Sequence, residues 1–248
     1  MKTRKLFLRL SVLTLLVAPL LHAASPAVPP SAAQILSGVD RTRNGWNSFV
    51  VDVKINNFKN NKAVDQDAYQ VYIKGSERTL VKFMSPEDRG KTLLMLDQNM
   101  WLYLPSASRP VRVTPLQRLS GNASNGDIAQ TNLAANYDAR LLGDEMLGTR
   151  DSWMLELKAK RKGATYQVVR LWVGKSDLTP IKAEFRLTSG KAIKRVDYLE
   201  YDTFGTQKMI RRQVMYDLLR NEQKTVVEYA NYQRRELPDK MFNQNSLR

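Results

Sequence analysis

The stretch that decides the fold spans residues 89–106 and reads RGKTLLMLDQNMWLYLPS. It contains two apolar runs, at 92–96 and 100–104, and each run is too short for a stable helix in water. A polar DQN turn separates the runs, and Pro105 ends the second one. Short apolar runs joined by a tight polar turn are typical of a β-hairpin. We therefore predict two antiparallel strands here, followed by a third at 111–114.

Alternating apolar and polar residues predict further strands on both sides of this hairpin. Apolar side chains recur at every second position from Phe49 to Ile55, and the same period continues from Trp153 to Leu157. A period of two is typical of a half-buried strand. In all we expect about eleven strands, each joined to the next by a short turn, which favours one up-and-down antiparallel sheet.

Two short helices interrupt the predicted strands. Ser31 is a suitable N-cap for a helix over 32–39, and Asp127 can cap a second one over 128–135. Between the hairpin region and that second helix, residues 120–126 read SGNASNG, which predicts a flexible polar loop. A helical insertion within a run of strands most simply lies across one face of the sheet.

A large antiparallel sheet is expected to curl, because flat open sheets of this size are disfavoured. The predicted fold class is therefore mainly β: a curled half-barrel of about eleven strands, with the short helices covering its concave face. Such a sheet is too wide for its own side chains to fill, so we expect an apolar hollow beneath the helices. This hollow is a suitable container for lipid chains.

The first 24 residues are predicted to be a signal peptide, cleaved after Ala23 or Ala24. An apolar run at 10–21 is much shorter than the roughly 20 residues that span a bilayer, which argues against an uncleaved anchor. The run follows four basic residues, Lys2, Arg4, Lys5 and Arg9. Residues 25–248 are then expected to form a single exported, periplasmic domain, which lacks the cysteine that a lipid anchor requires.

Composition argues against most enzyme classes. The chain contains no cysteine, and its one histidine, His22, lies in the predicted signal peptide. Catalytic triads, thiol nucleophiles and histidine-bound zinc are therefore unavailable to the mature chain, and we expect no cofactor, no metal and no enzymatic activity. The acids Asp65 and Asp67 stand two apart in a predicted turn, where solvated carboxylates are more common than a glycosidase pair.

The chain is strongly basic. Its formal net charge is +15, of which the signal segment supplies four positive charges, so about +11 remain on the mature chain. The basic residues are spread along the strands and do not form one block, which suits transient contact with anionic membrane surfaces. Nucleic-acid binding is disfavoured, because the chain is predicted to be exported and carries no nucleic-acid-binding motif.

Several short segments together resemble the LolA-like outer-membrane lipoprotein-sorting proteins. They are RGK at 89–91, MWLYLPS at 100–106, RV at 112–113, LLG at 141–143, WV at 172–173, EF at 184–185 and LPDKMF at 237–242. The resemblance implies a periplasmic half-barrel whose helical lid covers a cavity for acyl chains. It also implies an inner-membrane transporter of the resistance-nodulation-division (RND) type and an outer-membrane acceptor as partners, with cargo that can be lipids other than lipoproteins.

Two functional hypotheses follow from these observations. The first is a periplasmic carrier that binds the acyl chains of lipoproteins or other lipids and moves them between the inner and outer membranes. The second is an accessory protein that docks on an RND-type transporter without carrying lipid. For the first hypothesis, we predict that the cavity is lined by Phe49, Val51, Val53, Ile55, Met100, Trp101, Leu102, Tyr103, Trp153, Leu155 and Leu157. The sequence does not decide which side of the strand at 100–104 faces the cavity, so residues from both sides are included.

Overall fold

The computed structural model describes residues 29–130, 132–220 and 222–247. The predicted signal peptide lies outside these residues. Within them, no helix has the length and apolar character needed to cross a bilayer.

Strands make up most of the described chain. They are β1 (Ser48–Lys59), β2 (Lys62–Lys74), β3 (Arg78–Phe83), β4 (Thr92–Leu96), β5 (Asn99–Tyr103), β6 (Val111–Val113), β7 (Arg118–Ser120), β8 (Ala123–Ser124), β9 (Tyr137–Leu147), β10 (Arg150–Ala159), β11 (Val168–Gly174), β12 (Pro180–Arg186), β13 (Ala192–Phe204), β14 (Gln207–Asp217) and β15 (Gln223–Arg234). The predicted hairpin is confirmed as β4 and β5, which pair antiparallel from Thr92 opposite Tyr103 to Leu96 opposite Asn99.

The helices are short. They are α1 (Ala32–Arg41), α2 (Asn125–Ala129) and α3 (Leu133–Asn136), with 3-10 turns at Pro86–Asp88, Asp239–Phe242 and Gln244–Ser246. The N-cap predicted at Ser31 is confirmed, since its side chain accepts a hydrogen bond from the backbone N–H of Gln34. The single helix predicted over 128–135 is instead two separate turns, α2 and α3.

Thirteen strands form one antiparallel sheet in the order β6-β5-β4-β3-β2-β1-β15-β14-β13-β12-β11-β10-β9. The predicted total of about eleven is therefore too low by two. The first and last strands, β1 and β15, are neighbours in its middle. The two edges, β6 and β9, belong to the middle of the chain, and the sheet is not closed into a barrel.

Among the described residues, one connection between consecutive strands of the sheet joins strands that are not neighbours in it. Residues 114–136 join the edge strand β6 to the opposite edge strand β9, and they contain β7, β8, α2 and α3. We call residues 114–136 the lid segment. Because its two ends are attached to opposite edges, this segment must pass across one face of the sheet, as predicted for a helical insertion.

The two faces of the sheet carry separate apolar clusters. The inner face packs against α1 and α2 and includes Phe49 and Leu155, which are both fully buried. The outer face of β1 to β5 is covered by the C-terminal residues Leu237 and Phe242. Alternation along β5 divides its side chains between these clusters, as the period of two requires. Met100 and Leu102 belong to the inner cluster, and Trp101 and Tyr103 to the outer one.

Contacts between distant strands show that the sheet curls. The turn between β4 and β5 meets the loop between β10 and β11, where Arg161 forms a 3.1 Å ion pair with Asp97. Gly163 of the same loop lies so close to Gln98 that a Cβ placed on it would be 2.7 Å from the Gln98 Cβ. Strands six or more positions apart in the sheet can meet in this way only if it bends strongly.

Candidate functional site

The first part of the lid segment is held against the inner face near the middle of the sheet. The Asn57 side-chain amide of β1 donates to the Ser120 hydroxyl at 2.8 Å. The Thr225 hydroxyl of β15 accepts from the Asn122 backbone N–H at 2.9 Å and donates to the side-chain carbonyl oxygen of Asn57 at 2.8 Å. Ser120 also donates to Asp67. These buried hydrogen bonds tie the β7–β8 turn to three neighbouring strands.

The prediction of a flexible loop at 120–126 is therefore wrong. Ser120, Ala123, Ser124 and Asn125 are all less than a tenth exposed. Gly121 adopts φ +51°, and a Cβ at this position would lie 1.7 Å from the Asn57 carbonyl oxygen. The small polar residues here allow the backbone to approach the sheet closely and to exchange hydrogen bonds with it.

The least exposed ion pair of the described residues involves Asp127 of α2. Its carboxylate lies 2.6 Å from the Lys194 ammonium of β13, and only 6% and 12% of the two side chains are exposed. The Tyr166 hydroxyl donates to the same carboxylate at 3.0 Å. Ser124 caps α2, and its backbone N–H donates to Asp127 at 2.8 Å. Arg43, which follows α1, donates to the Asp127 carbonyl oxygen.

Asp127 was predicted to cap this helix, but the N-cap is Ser124. Asp127 occupies the third helical position and completes a reciprocal capping box. Burial alone would raise the pKa of Asp127. The nearby Lys194 charge and the hydrogen bonds from Lys194 and Ser124 outweigh that effect and hold this pKa below its usual range. The carboxylate is therefore charged at neutral pH and forms a buried ion pair.

A second acidic residue, Asp40, connects α1 to α3 of the lid segment. Asp40, near the end of α1, accepts hydrogen bonds from the first backbone N–H groups of α3, from Leu133 at 2.7 Å and from Ala134 at 2.8 Å. Burial raises the pKa of Asp40 to about 6, although the two backbone bonds and Arg43 act in the opposite direction. The Asp40 carboxyl therefore titrates close to neutral pH.

Two further contacts hold the rest of the lid segment. The Thr79 hydroxyl of β3 donates to the Ala129 carbonyl oxygen at 2.9 Å. On the opposite side, the Gln130 amide donates to the Gly163 carbonyl at 3.0 Å, and Thr165 donates back to Gln130. The segment is thus attached by polar contacts to strands from both halves of the sheet.

Apolar side chains fill the space between the lid and the inner face. A cavity of about 20 Å³ lies between Ile128 of α2 and the β1 residues Phe49, Val51 and Val53. A second cavity, of about 30 Å³, lies under Leu133 of α3. Small-molecule pockets usually measure about 300–1,000 Å³. In this conformation the expected hollow is therefore nearly filled, since Ile128 and its neighbours occupy it.

The structure places the predicted lining residues in three groups. The first group, Phe49, Val51 and Val53, lines the cavity beneath Ile128. The second group is in the same inner cluster without bordering either cavity: Ile55, Met100, Leu102, Trp153, Leu155 and Leu157. The third group, Trp101 and Tyr103, packs on the outer face beneath the C-terminal residues, so its predicted place at the inner face is wrong.

Sequence reasoning missed the polar residues that hold the lid. Asp127, Lys194 and Tyr166 are separated by 28 to 67 positions in the chain, and no short motif connects them. The one available local signal was the Ser124-x-x-Asp127 spacing, which is a capping-box pattern. Within the described residues, His, Cys, Asp and Glu side chains form no group of three or more suited to a metal.

These features define a class of protein: a curled antiparallel sheet whose apolar inner face is covered by a lid running from edge to edge. Comparison with known proteins identifies the family. A crystal structure of a LolA superfamily protein from Nitrosomonas europaea is 35% identical, with a TM-score of 0.82 over 87% of this chain and 99% of that one. The chain belongs to the LolA superfamily, as the sequence resemblance implied.

More distant relatives share the fold. A crystal structure from Vibrio parahaemolyticus, named as an outer membrane lipoprotein-sorting protein domain, is 18% identical, with a TM-score of 0.75 over 87% of this chain and 97% of that one. A DUF1329 family protein from Desulfovibrio piger is 21% identical, with a TM-score of 0.75 over 88% and 98%. A family model described as "uncharacterized protein" matches residues 75–248. No curated protein matches the chain significantly.

Proposed function

We propose that this protein is a periplasmic carrier that binds the acyl chains of lipoproteins or other lipids against the inner face of its sheet. The observation that carries the proposal is the lid segment, which crosses a continuous apolar face and is attached at its sides by hydrogen bonds and one ion pair. Polar contacts can be exchanged for contacts with water when the lid moves. The apolar face would then be exposed, and an acyl chain would cover it.

The energetics of lipid transfer favour such a carrier. Exposing each methylene to water costs about 0.8 kcal/mol, so a chain of about sixteen carbons costs roughly 12 kcal/mol. The inner cluster offers a matching apolar surface, since Phe49, Val51, Val53 and Ile55 lie side by side along β1. The cavities of about 20 and 30 Å³ are too small for a chain. Binding therefore requires the lid, including Ile128, to move outward.

The proposed location and partners follow from the signal segment and the family. An exported protein between two membranes would receive its cargo from an inner-membrane transporter, of which the RND type is one candidate, and would deliver it to an outer-membrane acceptor. No enzymatic step is needed for this role. The basic surface suits transient contact with anionic membranes on both sides.

The test is uptake of a fluorescent fatty acid, together with mass spectrometry of lipid that co-purifies with the protein. The matched variants are Val53→Trp and Lys54→Trp, on adjacent residues of β1 that face opposite sides of the sheet. Val53→Trp should abolish uptake because its ring occupies the part of the inner face that an acyl chain would cover, and Lys54→Trp should leave uptake unchanged. Absence of bound lipid and of uptake in the unmodified protein would refute the proposal.

A further inference from the structure

A surface groove lies directly beside the lid. It consists of two adjoining depressions of about 310 and 390 Å³, which share Leu116, Tyr166 and Ile193. One wall is the beginning of the lid segment, and the other is formed by the ends of β12, β13 and β14. We call these two depressions the rim groove. Its combined size is in the range that small-molecule sites require, unlike that of the inner cavities.

Three leucines in the walls of the rim groove are well exposed to solvent. Leu116 and Leu219 are each 58% exposed, and Leu187 is 46% exposed. A single exposed leucine needs no explanation, but three around one groove form the kind of contiguous patch that marks a binding surface. They offer contact for an alkyl chain.

The charges around the rim groove are mainly positive. Its lining contains four basic residues, Arg118, Lys162, Arg186 and Lys194, and one acidic residue, Asp217. Asp217 is already engaged, since its carboxylate accepts from the backbone N–H groups of the following turn at 2.8 and 3.1 Å. Two of the basic residues are already paired, Lys194 with Asp127 and Arg186 with Glu184. Arg118 and Lys162 supply the remaining positive charge, which together with the exposed apolar contact is complementary to an anionic amphiphile.

The groove ends at the ion pair that holds the lid. Lys194 and Tyr166 both line it, and both contact the Asp127 carboxylate. An anion bound in the groove is close to the Lys194 side chain, which is 12% exposed. It would then compete with Asp127 for the same ammonium group.

We infer that the rim groove is the recognition site for the anionic head group of an acylated cargo, and that occupancy of this site weakens the Lys194–Asp127 ion pair and releases the lid. The inference rests on the proposed carrier function and adds the chemical class of the cargo and the trigger for opening. The alkyl chain first lies along Leu116 and Leu187. It passes beneath the lid once α2 has moved.

The experiment measures binding of lysophosphatidylglycerol, which is anionic, and lysophosphatidylcholine of the same chain length, which is zwitterionic. We expect the unmodified protein to bind the anionic lipid about ten-fold more tightly, the value of one charge-assisted hydrogen bond. Arg118→Glu should remove this preference. Arg109→Glu is the matched control, since Arg109 is also exposed but does not line the groove.

A second pair of variants tests the apolar wall. Leu116→Asp should weaken binding of both lysolipids, whereas Leu199→Asp, at a leucine that is 52% exposed elsewhere on β13, should not.

Amide hydrogen exchange tests whether occupancy of the rim groove releases the lid. Exchange in residues 125–136 should increase with lysophosphatidylglycerol and not with inorganic phosphate, which lacks the chain.

The outcomes separate this inference from the proposed function. If both lysolipids bind equally well, or if Arg109→Glu acts like Arg118→Glu, the head-group site is refuted while the carrier function stands. If the anionic lipid binds without increased exchange in the lid, the coupling to Lys194 is refuted. If neither lysolipid binds, the carrier function itself fails.

Discussion

The Lys194 ammonium of β13 lies 2.6 Å from the Asp127 carboxylate of α2, and both side chains are nearly buried. This ion pair joins the lid to a strand far from the hydrogen bonds made by Ser120 and Thr79. It therefore adds a separate attachment that holds α2 on the inner face. Its strength depends on Lys194, since Asp127 would otherwise be an unpaired buried charge.

Lys194→Met should loosen the lid strongly. Breaking one side of a buried ion pair costs about 3–5 kcal/mol, because the remaining charge stays desolvated. Urea unfolding and amide exchange of residues 125–136 measure the effect. The double variant Lys194→Met with Asp127→Asn should recover part of the loss. Arg140→Met, which breaks an exposed pair with Glu156, should cost less than about 1 kcal/mol. Equal losses of unfolding free energy in Lys194→Met and Arg140→Met would show that burial does not strengthen the Lys194–Asp127 ion pair.

Asp40→Asn should remove a pH-dependent part of the stability. The pKa of Asp40 is raised to about 6 in the folded protein from an ordinary value of 3.8. The folded form thus binds the proton more tightly, and this contribution is fully present below about pH 4 and is lost as the pH rises through 6. The free energy of unfolding, measured by urea from pH 4 to 7, should show this decline in the unmodified protein.

The Asp40→Asn variant should lack this pH-dependent decline. The difference in unfolding free energy between the unmodified protein and the variant should therefore change between pH 4 and 7. Asp127 does not contribute to the decline in stability between pH 4 and 7. Its pKa is lowered, so its contribution is lost only as the pH falls below the usual carboxylate range. A constant difference between the variant and the unmodified protein from pH 4 to 7 would show that Asp40 is not the titrating group.

Gly121→Ala should destabilise the protein more than Gly148→Ala. Both glycines have positive φ, +51° and +62°, so both substitutions incur about 1–2 kcal/mol of backbone strain. Only Gly121 also faces a neighbour, since its Cβ would lie 1.7 Å from the Asn57 carbonyl oxygen, whereas nothing lies within 4 Å at Gly148. Thermal unfolding of the two variants compares them directly, and equal midpoints would show that the lid does not press against β1 at this point.

Sequence periodicity predicted the long strands well, because strands such as β1 and β10 show their alternation locally. The β4–β5 hairpin and the apolar face of β1 follow directly from runs such as Phe49 to Ile55. The face occupied by Trp101 and Tyr103 could not be predicted in the same way. Alternation divides β5 into two sides, but which side faces the lid depends on the C-terminal residues that cover the other one.

The lid was predicted only in outline. An insertion between strands indicates that something crosses the sheet, but the residues 120–126 resemble an ordinary polar loop. Their burial depends on partners such as Asn57 and Thr225, which lie far away in the chain. The ion pair of Asp127 and Lys194 could not be predicted for the same reason, because its two residues are far apart in the chain. The near absence of a hollow was also unpredictable, since it results from how closely Ile128 approaches β1.

The central claim is that the lid must leave the inner face before an acyl chain can bind. A disulfide between α2 and the β10–β11 loop tests it, and the cysteine-free chain makes the experiment specific. A Cβ on Gly126 would lie 2.9 Å from the Thr165 Cβ, and a small outward shift reaches the roughly 3.8 Å of a disulfide. The variant is Gly126→Cys with Thr165→Cys, and each single substitution is a control.

The decisive measurement is uptake of a fluorescent fatty acid by the oxidised and reduced forms of this double variant. We predict that the oxidised form takes up none, that reductant restores uptake, and that both single variants bind under either condition. Uptake by the fully oxidised form at the rate of the reduced one would show that lipid binds without movement of the lid, and it would contradict the account.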